Sequence, residues 1–240
     1  MTLAIFDLDN TLLGGDSDHL WGRFLVEQGI VDGAFYEREN NRFYEEYKAG
    51  TLDIRAYQRF ALAPLVGQAP ETLAEWHRRY MAEKISAILL PAAHHLLDWH
   101  RGQGHVPLII TATNSFITTP IVAALGVENF LATEPELLHG RYTGDITGIP
   151  TFQRGKVERL AQWLNETGYN LAGAWFYSDS HNDLPLLEQV DHPVAVDPDD
   201  TLRSHAEARG WDIITLRQGE RPMPLAGDAE QETRDEENGG

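Results

Sequence analysis

The chain of 240 residues contains no cysteine. That absence excludes disulfides, thiolate metal sites and a cysteine nucleophile, so any bound metal must use oxygen or imidazole ligands. Cationic residues are scarce as well: 19 Lys and Arg stand against 37 Asp and Glu, a net charge of −18. A surface of that sign repels a phosphate backbone, which most binders meet with basic patches, so nucleic acid is not an expected partner. No apolar run approaches the roughly 20 residues that span a bilayer, and no membrane partner is expected. The N-terminus opens on an apolar run without the charged region, apolar core and cleavage site of a signal peptide, and the chain is expected to be cytoplasmic.

What the chain does have is carboxylates in telling places. The run Leu3-Ala4-Ile5-Phe6 leads directly into Asp7-Leu8-Asp9-Asn10-Thr11. Side chains alternate along a strand, so Asp7 and Asp9 share a side while Leu8 points away. Two such charges about 4 Å apart at an effective dielectric near 20 repel by roughly 4 kcal/mol. The pair therefore calls for a cation or a proton. A second apolar run, Val106 to Ile110, ends on the hydroxyl of Thr111, and a third, Ala174 to Tyr177, ends on Ser178-Asp179-Ser180-His181-Asn182-Asp183. Lys156 stands on a segment whose Val157, Leu160, Ala161 and Leu164 follow helical spacing. Strand ends in an open parallel sheet are where ligands bind.

The order of the elements fits such a sheet. From Asp16 to Ser86 the apolar residues keep helical spacing (Leu20, Trp21, Phe24 and Leu25; Tyr36, Phe43, Tyr44 and Tyr47; Leu73, Trp76 and Tyr80), which predicts an all-helical insertion between Gly14-Gly15 and Pro91. Beyond it, helices are expected near 91–103, 116–125, 154–165 and 184–189, alternating with strands at 106–110, 129–132, 174–177, 193–196 and 212–216. Residues 137–146 suggest a hairpin. The fold class is α/β, a doubly wound and mostly parallel sheet with an inserted helical cap. The core domain is placed at 1–14 and 89–220 and the cap at 15–88. The acidic stretch at 221–240, apolar-poor, is expected to be disordered.

Taken together, the Asp7-Leu8-Asp9-Asn10-Thr11 motif, Thr111, Lys156, and Asp179 with Asp183 resemble the four motifs of the haloacid dehalogenase superfamily, over residues 3 to about 196. The helical insertion and the Tyr-Ser-Asp-Ser-x-x-Asp-Leu-Pro-Leu-Leu-Glu run resemble its phosphoserine-phosphatase-like subfamily. Ser178 departs from the glycine common before the aspartate. The run from Gly15 to Gly22 resembles a bacterial branch associated with histidinol-phosphate hydrolysis. The resemblance implies an HAD-type phosphatase using Mg²⁺ and an aspartyl-phosphate intermediate. Asp7 would be the nucleophile and Asp9 the acid and base. The metal would be held by the Asp7 carboxylate, the Asp9 backbone carbonyl and Asp179. Thr111 and Lys156 would bind phosphate, with Asp183 supporting the site through a bound water or a hydrogen bond to Lys156.

Selectivity must then come from the insertion, since the core reads only phosphate and metal. Candidate substrate contacts are Asp16, Asp18 and His19, just past the catalytic loop, with Arg42, Glu45 and Glu46 on a cap helix and Asn182 in the last motif. Inward-facing acids favour a substrate with an amine or imidazolium; histidinol phosphate and phosphoserine both qualify. A phosphotransferase would use the same acids and differ only in the phosphoryl acceptor. A signalling receiver also combines carboxylates, a hydroxyl and a lysine, but places its acceptor on a later strand. The partner is expected to be a small phosphomonoester, bound by a monomer or homodimer. His94, His95, Asp98 and His100 lack a metal-binding pattern and read as a helix face. Gly155-Lys156 lacks the remaining residues of a P-loop.

Overall fold

The structure is a computed structural model that describes residues 1–225; the expected disorder of the acidic tail falls mostly outside the described residues. Strand β1 (Leu3–Phe6) is buried along its whole length, as a strand covered on both faces must be. Its alternation divides the core. Ala4 and Phe6 join one buried cluster with Leu97, Ile109 and Val194, and Leu3 and Ile5 join another with Leu108, Phe176 and Ala195. The molecule therefore stacks helices on each side of one sheet.

After β1 come four helices, α1 (Ser17–Glu27), α2 (Gly33–Lys48), α3 (Ile54–Leu62) and α4 (Pro70–Tyr80), closed by a π-helical turn at Met81–Ile85. Asp16, Asp32 and Asp53 cap the first three by accepting backbone N–H groups. The helical insertion is thus as expected. Its two ends are tied together by a bridge between Leu13 and Leu89 and by Gly14 N donating to Ile88 O at 2.8 Å.

The remainder runs α5 (Pro91–Gly102), β2 (Val106–Asn114), α6 (Ser115–Ala124), β3 (Asn129–Leu138), β4 (Arg141–Thr147), α7 (Arg154–Thr167), β5 (Trp175–Ser178), α8 (Leu184–Leu187), β6 (His192–Val196), α9 (Asp200–Arg209), β7 (Asp212–Thr215) and β8 (Met223–Pro224). The sheet order is β4-β3-β2-β1-β5-β6-β7-β8, with only the β3–β4 and β7–β8 pairs antiparallel. Among the described residues no helix is long and apolar enough to cross a membrane.

Four expectations need correction. Strand β2 does not stop at Ile110, because Asn114 still pairs with Thr133. Strand β3 is far longer than four residues, since it continues into the hairpin with β4. Helix α9 was not expected; its buried apolar residues are only Leu202 and Ala206, too few to stand out as a periodic pattern. The tail boundary at 221 is too early, since Met223 pairs with Thr215.

A buried histidine links the helical layer to the sheet. His100 on α5 is fully buried, with Nε2 2.9 Å from the Tyr177 hydroxyl and Nδ1 2.8 Å from His105 Nδ1. Burial, aided by His105, depresses its pKa to about 3. The folded protein then refuses a proton that the unfolded chain takes up near pH 6.5, so stability is lost as pH falls below that value. Urea unfolding at pH 7 and pH 5 should show this group removing about 2 kcal/mol from the wild type. The His100→Asn protein, weaker at pH 7, should lack that increment; an equal pH dependence in both proteins would contradict the assignment.

Candidate active site

The carboxyl ends of β1, β2 and β5 meet where the chain, having built the sheet outward from β1 to β4, returns to place β5 on the other side of β1. That is the switch point of a doubly wound sheet. Asp7 follows β1 directly and donates its N–H to Tyr177 O at 2.9 Å, so the backbone pairing that builds the sheet also places this carboxylate. Lys156 Nζ donates to Asp7 Oδ1 at 2.6 Å and to Asp183 Oδ2 at 2.7 Å, all three side chains being nearly inaccessible. Ser178 Oγ adds a 2.7 Å bond to the same Asp183 oxygen.

The turn before α7 delivers the lysine. Gln153 adopts φ 48°, Gly155 N donates to Phe152 O at 2.8 Å, and α7 begins at Arg154. The backbone doubles back so tightly that a Cβ on Gly155 would lie 2.0 Å from Pro150 O. Only glycine fits that approach.

Asp9 is held by other groups. Its Oδ1 accepts from Ser17 N at 2.6 Å and its Oδ2 from Thr113 Oγ1 at 2.8 Å, while Thr111 Oγ1 is a more distant 3.4 Å away. Burial and then the charge of Asp16 raise its pKa to about 6 against those hydrogen bonds. Asp7 is raised to about 7, by burial first and by Asp183 and Asp9, with Lys156 pulling the other way. Lys156 remains a firm cation: burial opposes its charge, but Asp183 and Asp7 outweigh it.

Thr11 joins the first and last motifs. Its Oγ1 lies 3.3 Å from Asp7 Oδ2 and 3.2 Å from Asp179 Oδ1, and accepts from Asp179 N at 3.1 Å. One hydroxyl proton serves a single acceptor at a time, so the two carboxylates are left short of positive charge. Burial and the neighbouring Asp7 push the Asp179 carboxyl well above the usual range. Among the described residues no three or more His, Cys, Asp or Glu gather to hold a metal by side chains alone. What the site offers instead is two carboxylates, Asp7 and Asp179, with the backbone carbonyl of Asp9. Its all-oxygen chemistry, with a deficit of positive charge, fits a small hard cation.

Above these groups a cavity opens against the insertion, lined by Asp7, Asp9, Thr111 and Thr113 on the core side. Asp16, Asp18 and His19 line it from α1, and Phe43, Tyr44, Tyr47 and Tyr57 form an aromatic wall. The structure thus brings the expected Asp16, Asp18 and His19 to the site.

Four expected contacts, Arg42, Glu45, Glu46 and Asn182, do not line the cavity. Arg42 lies on the outer face of α2, half-exposed and paired with Glu39 and Glu46 at 3.1 and 2.6 Å. That spacing is an ordinary surface ladder. Glu45 is likewise bound up, with Lys48 at 2.7 Å. Asn182 is buried but faces the insertion: it donates to Tyr47 O at 3.2 Å and accepts from Gln153 Nε2 at 2.9 Å. It fastens the insertion to the core.

The arrangement matches a known family. The family model of haloacid dehalogenase-like hydrolases matches residues 4–188. The chain belongs to that family. Over 219 residues it is 46% identical to a histidinol-phosphatase of Neisseria meningitidis serogroup C (strain 8013), covering 90% of this chain and 99% of that protein. A phosphoserine phosphatase of Mycobacterium tuberculosis (strain ATCC 25618 / H37Rv) is 32% identical over 219 residues, 89% of this chain and 70% of that one. Among solved structures, a Bordetella pertussis Tohama I protein of unknown function superposes with a TM-score of 0.84 at 44% identity, over 90% of this chain and all of that one. A substrate-bound phosphoserine phosphatase superposes at 0.64 with 20% identity, over 85% and 89% of the two chains, a likeness of fold.

In this haloacid dehalogenase-like hydrolase, sequence reasoning passed over Thr113, Thr11 and the tyrosines. Thr113 had a signal: it stands two residues after Thr111 on one strand, hence on the same side. Thr11 and the tyrosines read as a turn residue and as core.

Gly155 offers a test of how the lysine is placed. Gly155→Ala drives a Cβ into a backbone oxygen that cannot swing away, and overpacking of this kind costs about 1–3 kcal/mol. We expect a Tm lowered by several degrees together with a loss of activity larger than a remote substitution of equal destabilisation produces. An unchanged Tm would show that the turn relaxes freely.

Proposed function

We propose that this hydrolase cleaves a small phosphomonoester bearing a positively charged nitrogen, by transfer of the phosphoryl group to Asp7, with histidinol phosphate as the leading substrate. The observation that carries the reading is the Lys156 ammonium between Asp7 and Asp183, with Asp9 two residues beyond the nucleophile. An anionic phosphate approached by an anionic nucleophile needs its charge neutralised first. Mg²⁺ held by the Asp7 and Asp179 carboxylates and the Asp9 carbonyl would supply that neutralisation.

The protein groups divide the remaining work. An Asp7 carboxylate oxygen forms the new bond to phosphorus while the ester oxygen departs with the bonding pair. Asp9, held near neutrality by burial, gives that oxygen its proton. It then takes a proton from the water that attacks phosphorus, breaking the bond to Asp7 and releasing inorganic phosphate. Lys156 and Thr111 hold the phosphoryl oxygens, and Asp183 fixes the lysine. Residues 15–88 act as the cap that excludes water over the core of 1–14 and 89–220, to which β8 is added.

The identity of the organic part is argued from charge. The cavity is lined by four aspartates and by no Lys or Arg. A carboxylate entering it, as in phosphoserine, has nothing to pair with, whereas an amino alcohol phosphate brings only a cation at that end. The likeness to the Neisseria histidinol-phosphatase supports the same choice.

Phosphate release should therefore depend on a divalent cation, cease with EDTA, and favour histidinol phosphate over phosphoserine by about 100-fold in kcat/KM, roughly the 2.7 kcal/mol an unpaired charge forfeits. Asp7→Asn should lower kcat by at least about a thousandfold. Turnover by that variant at the wild-type rate would remove Asp7 as nucleophile, and equal rates on the two substrates would remove the charge argument.

A further inference from the structure

We propose that Asp18, in the first turn of α1, is the subsite for the substrate's ammonium group, separate from the phosphate site. The two cap acids at the cavity differ in how their oxygens are used. Asp16 Oδ1 caps α1 by accepting from His19 N at 2.8 Å, a structural duty. Asp18 is 7% exposed and lines the cavity; the Tyr57 hydroxyl hydrogen-bonds to its carboxyl, while its buried Oδ1 has no donor. No Lys, Arg or His pairs with it among the described residues.

A buried carboxylate oxygen without a donor costs about 1–3 kcal/mol, more when charged, and is retained where something else supplies the donor. An ammonium supplies three. The surroundings fit the rest of such a molecule. Tyr57 and Phe43, their rings 5.2 Å apart edge to face, stand with Tyr44 and Tyr47 around the same space. Aromatic faces take a flat ring or the edge of a cation. Gln58, next to Tyr57, donates Nε2 to Ala112 O at 3.2 Å and leaves its buried Oε1 without a donor as well. Burial first, then Asp16 and Asp9, disfavour an Asp18 charge against the hydrogen bond from Tyr57, and an entering cation shifts that balance toward the charged form.

The inference rests on the phosphomonoesterase reading only for the far end of the substrate, and two measurements keep the two apart. The first compares kcat/KM for histidinol phosphate with that for its analogue bearing hydrogen in place of the amine. The wild type should prefer the amine, and the preference should shrink at least about 30-fold in Asp18→Asn, mostly through KM, as expected when one partner of a buried charge pair is neutralised. A preference equal to wild type, or equal losses on both esters, overturns the assignment. The second is calorimetric binding of histidinol itself, which has no phosphate, to the wild type and to Asp18→Asn. Binding should be confined to the wild type. A wild-type protein that binds histidinol but hydrolyses neither ester would overturn the phosphatase reading and leave Asp18 standing. Should the Asn protein not fold, a crystal structure of the wild type with histidinol decides: the amine about 3 Å from Asp18 Oδ1 supports the proposal, and an amine placed elsewhere refutes it.

Discussion

One ammonium shared by two carboxylates organises this molecule. Lys156 Nζ lies 2.6 Å from Asp7 and 2.7 Å from Asp183, in a place that water does not reach. Removing one partner of such a buried group is far more damaging than removing a surface pair, because the others keep their desolvation cost. The three residues come from the end of β1, the first turn of α7 and the loop after β5, so their meeting fixes how these elements abut. Gly155 and the tight turn from Pro150 exist on that account: they let α7 start close enough for its lysine to reach the sheet.

The same cluster explains why the site is incomplete on its own. Lys156 is a single positive charge, and Asp7, Asp9 and Asp179 all have carboxyls pushed upward in pKa by burial and by one another. Protons can balance that excess in the resting protein, and on the proposed reading a cation takes over that role when phosphate arrives. The cap extends the pattern, since Asp16 and Asp18 add further negative charge over the cavity. On the proposed reading the one ammonium, Lys156, serves the phosphoryl end, and the cap adds only negative charge at the organic end. Their alignment is held by backbone-directed bonds from Asn182 to Tyr47 O and from Gln58 to Ala112 O, across the seam between the two parts.

The sequence was most legible where strands end. Alternation places Asp7 and Asp9 on one side, and apolar runs that stop on polar residues mark the edge of a buried sheet. Of the two supports for Asp183 that the resemblance implied, a bound water or a hydrogen bond to Lys156, the structure contains the hydrogen bond. Legibility failed inside the helical insertion. Arg42 and Asp18 are both charged residues on cap helices, yet one faces solvent with Glu39 and Glu46 and the other faces the cavity. Helical spacing says which residues share a face but not which face a neighbour covers.

The sequence by itself determined most of the order of strands and helices, α9 excepted, and which polar residues end the buried strands, because local periodicity and chain order are properties of neighbours along the backbone. Only the tertiary structure decided that Asn182 fastens the cap, that Thr11 joins Asp7 to Asp179, and that Asp18, at the cavity wall, keeps a buried oxygen without a donor. Those facts depend on contacts between residues as far apart as 168 positions, whose geometry is set by how whole layers pack.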